Sequence, residues 1–340
     1  MSKEREIKKV LITGVTGFVG SHLADYILEN HPDVKILGLA RWRSPMDNIS
    51  HIINKIVIKY GDLLDVSSLK TILKEEKPDV IFHLAAQSYV PYSYKAPVAT
   101  IEVNMIGTCN LFEVVKELKH ETGYDPIIHL CSSSEVYGQV KEDEVPITEE
   151  NPFRPSSPYA VSKVGEDMLG YQYYLSWGLK IIRTRMFTHT GPRRGEVFVV
   201  STFAKQIAAI EAGLIPPVVK VGNLDSVRTF TDVRDAVRAY WLLVTKCPPG
   251  EVYNIGGVET MTIREMLEKL LKMSTVKNIK IEVDPNRLRP SDVTLQIPST
   301  EKFYKQTGWK PEIKFEKTLK DTLDYWRGYF KTVKHYYEKK

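Results

Sequence analysis

Val10-Leu11-Ile12-Thr13-Gly14-Val15-Thr16-Gly17-Phe18-Val19-Gly20 is the stretch that decides the fold. Its apolar opening reads as a buried strand, three glycines follow at three-residue spacing, and a helical pattern runs from about Ser21 to Asn30. Glycines in such a turn permit a tight bend, close approach of the backbone to a pyrophosphate, and close packing of helix on strand. The helix N-terminus then meets the negative charge. A plain structural turn is the alternative, since the spacing is G-x-x-G-x-x-G rather than the commoner G-x-G-x-x-G. The strand–turn–helix context favours a dinucleotide.

The alternation repeats outward from this turn. Lys35–Ala40, Ile56–Lys59, Val80–Leu84 and Ile127–Cys131 carry strand patterns, with helical patterns around Ser67–Glu76 and Thr100–Thr122. Strands alternating with helices require right-handed crossovers, so the fold class is α/β, a doubly wound parallel sheet covered on both faces. After Phe187 the pattern changes. Pro192–Val200 and Gly213–Gly222 read as loops around short elements, and helices follow at Thr202–Ala212, Val233–Thr245 and Thr262–Lys272. A basic loop, Asp284–Asp292, precedes a last helix at Phe315–Phe330, and Lys331–Lys340 reads as a solvated tail.

Composition narrows the class further. With 43% hydrophobic and 26% charged residues in 340, the chain is neither disordered, collagen-like nor a coiled coil. The net charge of +5, from 47 basic and 42 acidic residues, is too small and scattered to call for nucleic acid, though it suits an anionic small molecule. Cys109, Cys131 and Cys247 lie far apart and form neither a disulfide framework nor a zinc site, which fits a reducing cytosol. No His, Cys or carboxylate cluster has metal-ligand spacing, so no metal is expected. Met1–Lys9 is charged, with no apolar signal core, and apolar runs such as Val80–Ala86 fall short of the ~20 residues of a membrane span. A cytoplasmic location is expected, with no membrane partner.

Three further motifs carry chemistry. The second strand ends in Ala40-Arg41-Trp42-Arg43-Ser44 without an acid. An acid there would bond a ribose 2′-hydroxyl, whereas two guanidiniums and a hydroxyl suit a 2′-phosphate, so NADP is favoured over NAD. The alternative is an exposed basic turn. Tyr159-Ala160-Val161-Ser162-Lys163 sets a phenol and an ammonium on one helix face, and the ammonium is expected to lower the tyrosine pKa so that Tyr159 can act as a base. Ser132-Ser133-Ser134-Glu135 at a strand end supplies hydroxyls and a carboxylate. Strand C-termini are where such sheets bind ligands.

Together the glycine motif, His83-Leu84-Ala85-Ala86, Ser133 and Tyr159-x-x-x-Lys163 resemble the extended short-chain dehydrogenase/reductase superfamily, from about Lys9 to Phe330. Gln87-Ser88-Tyr89-Val90, Phe187-Thr188-His189, Pro192-Arg193-Arg194-Gly195-Glu196 and Arg287-Leu288-Arg289-Pro290 are similar to the GDP-mannose 4,6-dehydratase group, although Thr188 stands where that group usually has Asn. Gly222–Val233 and the run Leu288–Val293 look closer to its sister group, the GDP-4-keto-6-deoxymannose reductases.

The resemblance implies a Rossmann domain of residues 1–187 and 226–254 binding NADP, and a nucleotide-sugar domain of residues 188–225 and 255–340. It implies cofactor contacts from Gly14, Thr16, Gly17, Phe18, Val19, Gly20, Arg41, Arg43, Asp62, Leu63, Leu84, Ala85, Ala86, Tyr159 and Lys163. Sugar-nucleotide contacts fall on Ser88, Thr188, Arg194, Arg228, Arg289 and Asp292, arginine forks suiting a diphosphate better than lysine. His83 and His189 are expected to be structural. The implied reaction is 4,6-dehydration of GDP-mannose: Tyr159, with Ser133 and Lys163, takes the proton of the 4-hydroxyl while hydride leaves C4 for NADP⁺. Glu135 removes the C5 proton, water leaves from C6, and the hydride returns there. Reduction of the 4-keto sugar by NADPH, or dehydration of a GDP-heptose, are the alternatives. A non-enzymatic regulator would be expected to lose the serine, tyrosine or lysine, and all three remain. The family pairs subunits through the helix of Tyr159 and Lys163, and some dehydratases assemble further through the loop near Arg41, so a homodimer or homotetramer is expected.

Overall fold

The computed structural model describes residues 5–288 and 295–338. Arg289 and Asp292 lie outside the described residues. The chain begins as β1 (Lys9–Thr13), α1 (Phe18–Asn30), β2 (Lys35–Ala40), β3 (Val57–Tyr60), α2 (Val66–Glu76) and β4 (Val80–His83). It continues with α3 (Val90–Lys95), α4 (Pro97–Ile101), α5 (Gly107–Thr122), β5 (Ile127–Ser133), α6 (Pro158–Trp177) and β6 (Lys180–Met186). Next come β7 (His189–Thr190), α7 (Val199–Glu211), β8 (Val218–Val221), β9 (Val227–Thr229), β10 (Thr231–Asp232) and α8 (Val233–Lys246). The last elements are β11 (Val252–Ile255), β12 (Thr260–Thr262), α9 (Ile263–Lys272), β13 (Lys280–Val283), β14 (Leu295–Gln296), α10 (Glu301–Thr307) and α11 (Phe315–Glu338).

Seven strands form one parallel sheet in the order β11-β6-β5-β4-β1-β2-β3. This is the doubly wound α/β fold expected, and the order reverses between β1 and β4, where a crevice opens at the strand C-termini. Thr13 aligns with Leu39 of β2 and His83 of β4, so the three strands end level. The Thr13 hydroxyl accepts from the backbone N–H groups of Leu84 and Ala85, both at 3.0 Å, which bends the chain leaving β4 across the glycine turn.

Helices cover both faces. Leu23, Ala24 and Ile27 of α1 and Val237, Tyr240 and Val244 of α8 pack on one, and Leu69, Leu73, Leu111, Val115 and Leu118 of α2 and α5 on the other. Each leucine so buried contributes roughly 1.5–3 kcal/mol. Helices α4 and α5 are joined through a π-helical turn, Glu102–Ile106, in which the N–H of Gly107 reaches the carbonyl of Glu102. The continuous helix of 26 residues, Pro97–Thr122, has the length and composition of a membrane span, but its buried stripe is the one laid on the sheet.

A second core gathers Phe203 and Ile207 of α7, Val219 of β8, Met266, Leu267 and Leu270 of α9, and Phe315, Leu319, Leu323 and Trp326 of α11. In α9 the buried residues recur at Ile263, Met266, Leu267 and Leu270, one helical stripe, and Thr262 with Glu265 closes a capping box at its start. Two sequence expectations depart from this arrangement. Residues 301–309 do not join the second core, because Phe303 and Trp309 are fully buried against the sheet and Trp309 donates its indole N–H to the Asp235 carbonyl at 3.1 Å. The last helix runs past its expected end at Phe330, α11 continuing to Glu338, with Lys331 and Thr332 exposed.

Candidate active site

A cavity of about 1250 Å³ opens at the switch point between the sheet and the second core. One wall is the glycine turn. Gly14 has φ +71°, and a Cβ there would lie 3.0 Å from the Ala85 Cα; at Gly20 it would lie 2.3 Å from the Gly14 carbonyl oxygen. Side chains are therefore excluded by sterics. Helix α1 starts with Gly17 as its N-cap, without a side-chain cap and with no acid in its first turn. Its uncapped N–H groups and dipole suit an anion.

The edge of this wall lies past β2. Arg41 and Ser44 line the cavity and hold each other through backbone and hydroxyl bonds of 2.9 and 3.2 Å. The Arg43 guanidinium sits over the Trp42 ring, 4.6 Å from the centroid, beside the lining rather than within it. Asp62, Leu63, Leu84, Ala85 and Ala86 all line the cavity, as do Thr16, Phe18 and Val19. A cradle with no room for Cβ atoms, an uncapped helix N-terminus and a cation at the ribose edge fits a dinucleotide carrying an additional phosphate.

The floor is reactive. Helix α6 is started by Ser157, whose hydroxyl accepts from the Ala160 N–H at 3.0 Å, with Pro158 in its first turn, so Tyr159 lies at the helix mouth and Lys163 one turn deeper. Ser133, at the end of β5, faces the Tyr159 phenol, whose pKa it draws down, and accepts from the Glu135 N–H at 3.2 Å. Ser133, Glu135, Tyr159 and Lys163 line one continuous surface. Lys163 donates to the Cys131 carbonyl at 2.6 Å and to the Glu166 carboxylate at 2.7 Å.

The electrostatics correct the sequence expectation for Tyr159. Burial pushes its phenol above the ordinary tyrosine value, and the opposing pull of Lys163 and Ser133 does not overcome it. The local reading counted the lysine and omitted both the desolvation and the carboxylate beside that lysine. Burial of Glu166 raises its own carboxyl to about 7, while the Glu166 charge holds Lys163 above the ordinary lysine range despite burial.

The opposite wall comes from the second core and its loops. Ser88, Thr188, Arg194 and Arg228 line it. Arg194 sits 3.6 Å from the Phe198 ring centroid and 4.9 Å from that of Phe18, so it borders the glycine turn as well as the sugar side. Burial lowers its guanidinium to about 10, with Tyr159 and Tyr240 opposing. Sequence reasoning missed Asn286 and Arg287, which also line this wall although they belong to the arginine-rich run already singled out. It also missed the anchoring of Arg193, which adopts φ +68° while bonding His22, Asp25 and the Asn48 carbonyl. His83 is structural as expected, bonded to Thr13 and Thr108 at 3.0 and 2.8 Å and pushed down to about 3 by burial. His189 lines the cavity, stacked on Phe18 with 5.8 Å between centroids, a placement no local signal announced. Among the described residues no group of three or more His, Cys, Asp or Glu side chains converges as a metal site.

Comparison with known proteins agrees with this geometry. The family model described as GDP-mannose 4,6 dehydratase matches residues 11–322. The GDP-6-deoxy-D-mannose reductase of Pseudomonas aeruginosa is 34% identical, over 94% of this chain and 98% of that relative. The GDP-mannose 4,6-dehydratase of Yersinia enterocolitica is 33% identical over 91% of each. Among solved structures, RMD from Pseudomonas aeruginosa complexed with NADPH superposes with a TM-score of 0.81 at 33% identity, covering 94% of this chain and 99% of that one. A fold that reverses at β1 and β4, a glycine cradle and a Ser–Tyr–Lys floor thus accompany a match over nearly the whole length: the chain belongs to the GDP-mannose 4,6 dehydratase family.

Proposed function

We propose that the protein catalyses NADP-dependent 4,6-dehydration of GDP-mannose to GDP-4-keto-6-deoxymannose. The observation that carries this reading is the presence of Glu135 on the same cavity surface as Ser133, Tyr159 and Lys163. Gly14, Gly17, Gly20 and the start of α1 would hold the cofactor pyrophosphate, and Arg41 with Ser44 the 2′-phosphate. NADP, when bound, supplies the hydride acceptor and donor. Tyr159, beside Ser133, would receive the proton of the sugar's 4-hydroxyl, the Lys163 ammonium and Ser133 opposing the burial that disfavours its phenolate. A ketone at C4 acidifies C5, and the Glu135 carboxylate would take that proton and pass it to the departing C6 hydroxyl, which leaves as water; the proton held by Tyr159 would then return to C5. Arg228 and Arg287 offer guanidinium forks to the substrate diphosphate, with Arg194 between it and the cofactor.

In this reading residues 1–187 and 226–254, together with 301–313, make the cofactor half, and the remaining segments after 187 make the sugar-nucleotide half. Pairing of two chains through α6 is supported by Val161, Met168 and Leu175, exposed at seven-residue intervals along it, with Val98 and Ile106 alongside. Three free cysteines fit a reducing, cytoplasmic setting.

The test is incubation with GDP-mannose and catalytic NADP⁺, followed by mass spectrometry. A product lighter by one water without accumulation of NADPH is the expected result, and Glu135→Gln should block it while sparing sugar-nucleotide binding. A second reading, NADPH-dependent reduction of the 4-keto sugar, draws support from the 34% identity to the Pseudomonas aeruginosa reductase. Absence of dehydration, combined with NADPH consumption on the 4-keto sugar, would replace the first reading by the second. Turnover of only a larger GDP-sugar would point to a heptose.

A further inference from the structure

The proposed reaction uses Ser133, Glu135, Tyr159 and Lys163 of the floor and leaves the buried Glu166 without a role. Glu166 stands one helical turn beyond Lys163 on α6, is 1% exposed, and accepts an N–H of the Lys163 ammonium at 2.7 Å. A lysine ammonium has three N–H donors. One goes to the Cys131 carbonyl at 2.6 Å and one to Glu166, so the third is the donor left for the cavity, and its direction is set by the other two. A buried carboxylate without such a pairing would be costly, and so would a buried ammonium.

We propose that Glu166 is a positioning residue of the catalytic lysine, one that fixes the rotation of its ammonium, compensates its charge, and thereby sets the pH at which the Tyr159 phenol ionises. The inference rests on the reading of Tyr159 as the base. Charge near Tyr159 comes from several elements. On α6 itself stand Lys163, Glu166 and Asp167, the last held by Arg183 and Arg185 of β6. Cys131 and His129 of β5, Glu135 just beyond it, His83 of β4 and Tyr240 of α8 also stand near, with Arg194 facing Tyr159 from across the cavity. Burial keeps both histidines neutral and the Cys131 and Tyr240 groups protonated. Glu166 is therefore the anion whose loss leaves Lys163 unopposed near the phenol. Its negative charge raises the tyrosine pKa, so its removal must lower it.

Glu166→Gln keeps shape and a hydrogen-bonding oxygen but deletes the charge. The acid limb of the kcat profile is expected to move to lower pH by about one unit. Glu166→Leu should move it in the same direction with a lower plateau, since the ammonium is then less well oriented; it serves if the Gln variant fails to fold. Ionisation of Tyr159 is read independently of turnover, as the difference in ultraviolet titration between the protein and Tyr159→Phe, each with and without the Glu166 change. A lowered kcat with the limb and the phenol titration both unmoved overturns the proposal. Full activity of Tyr159→Phe would instead sink the reading of the base, leaving the titration shift as a separate result.

Discussion

The two walls of the cavity are built in different ways. The sheet wall is backbone: glycines and a helix terminus from one short stretch, with the end of β4 drawn level by Thr13. The opposite wall is side chains, chiefly Arg194, Arg228 and Arg287, from three segments separated by tens of residues. A backbone wall tolerates almost no substitution but has little to choose with, whereas a side-chain wall can be retuned one residue at a time. On the proposed reading, shape holds the pyrophosphate, while charge placement, from Arg41 at the ribose edge to the arginines opposite, selects what else binds.

This contrast can be broken. The largest effect is expected from Gly14→Ala. A left-handed backbone costs a side chain about 1–2 kcal/mol, and contact with Ala85 adds to it. The thermal midpoint should fall and NADP⁺ binding should weaken on the order of a hundredfold; unchanged NADP⁺ affinity by calorimetry would show that the cradle is not the cofactor seat. Next comes Arg228→Ala. Loss of a charge-assisted contact of roughly 1.5–3 kcal/mol should raise KM for the GDP-sugar at least about tenfold and leave NADP⁺ affinity alone. Equal loss of both would erase the division between the walls. The smallest effect is expected at the exposed Arg41: Arg41→Ala should weaken NADP⁺ about fivefold, near 1 kcal/mol, and NAD⁺ hardly at all. Equal losses would undo the 2′-phosphate assignment.

Legibility in the sequence follows the same division. The glycine turn and the Tyr159–Lys163 pair were readable because each is local, and the parallel sheet followed from alternation. Strand β6 escaped the apolar pattern because Arg183 and Arg185 occupy one of its faces, and only the fold shows that both are buried on Asp167. The elevated phenol of Tyr159 was illegible for a related reason: burial and the Glu166 carboxylate both depend on packing, while the lysine four residues away is visible in the text. Arg194 and Arg228 were found by resemblance, not by spacing, while Arg287 was passed over, and the stacking of Arg43 on Trp42 is invisible in their adjacency.

The sheet order has a consequence for how the chain is made. Strand β6 ends at Met186, yet its outer neighbour β11 begins only at Val252, after most of the second core's first half has been synthesised. At roughly 5–20 residues per second on the ribosome, the outer edge of β6 waits several seconds with its peptide groups unpaired. An apolar strand in that position would invite pairing with other chains. Lys180, Arg183 and Arg185 give β6 the inward and edge charges that discourage such encounters. The arginines that obscured this strand in the sequence are thus suited to protecting it during birth, before Asp167 and β11 close around it.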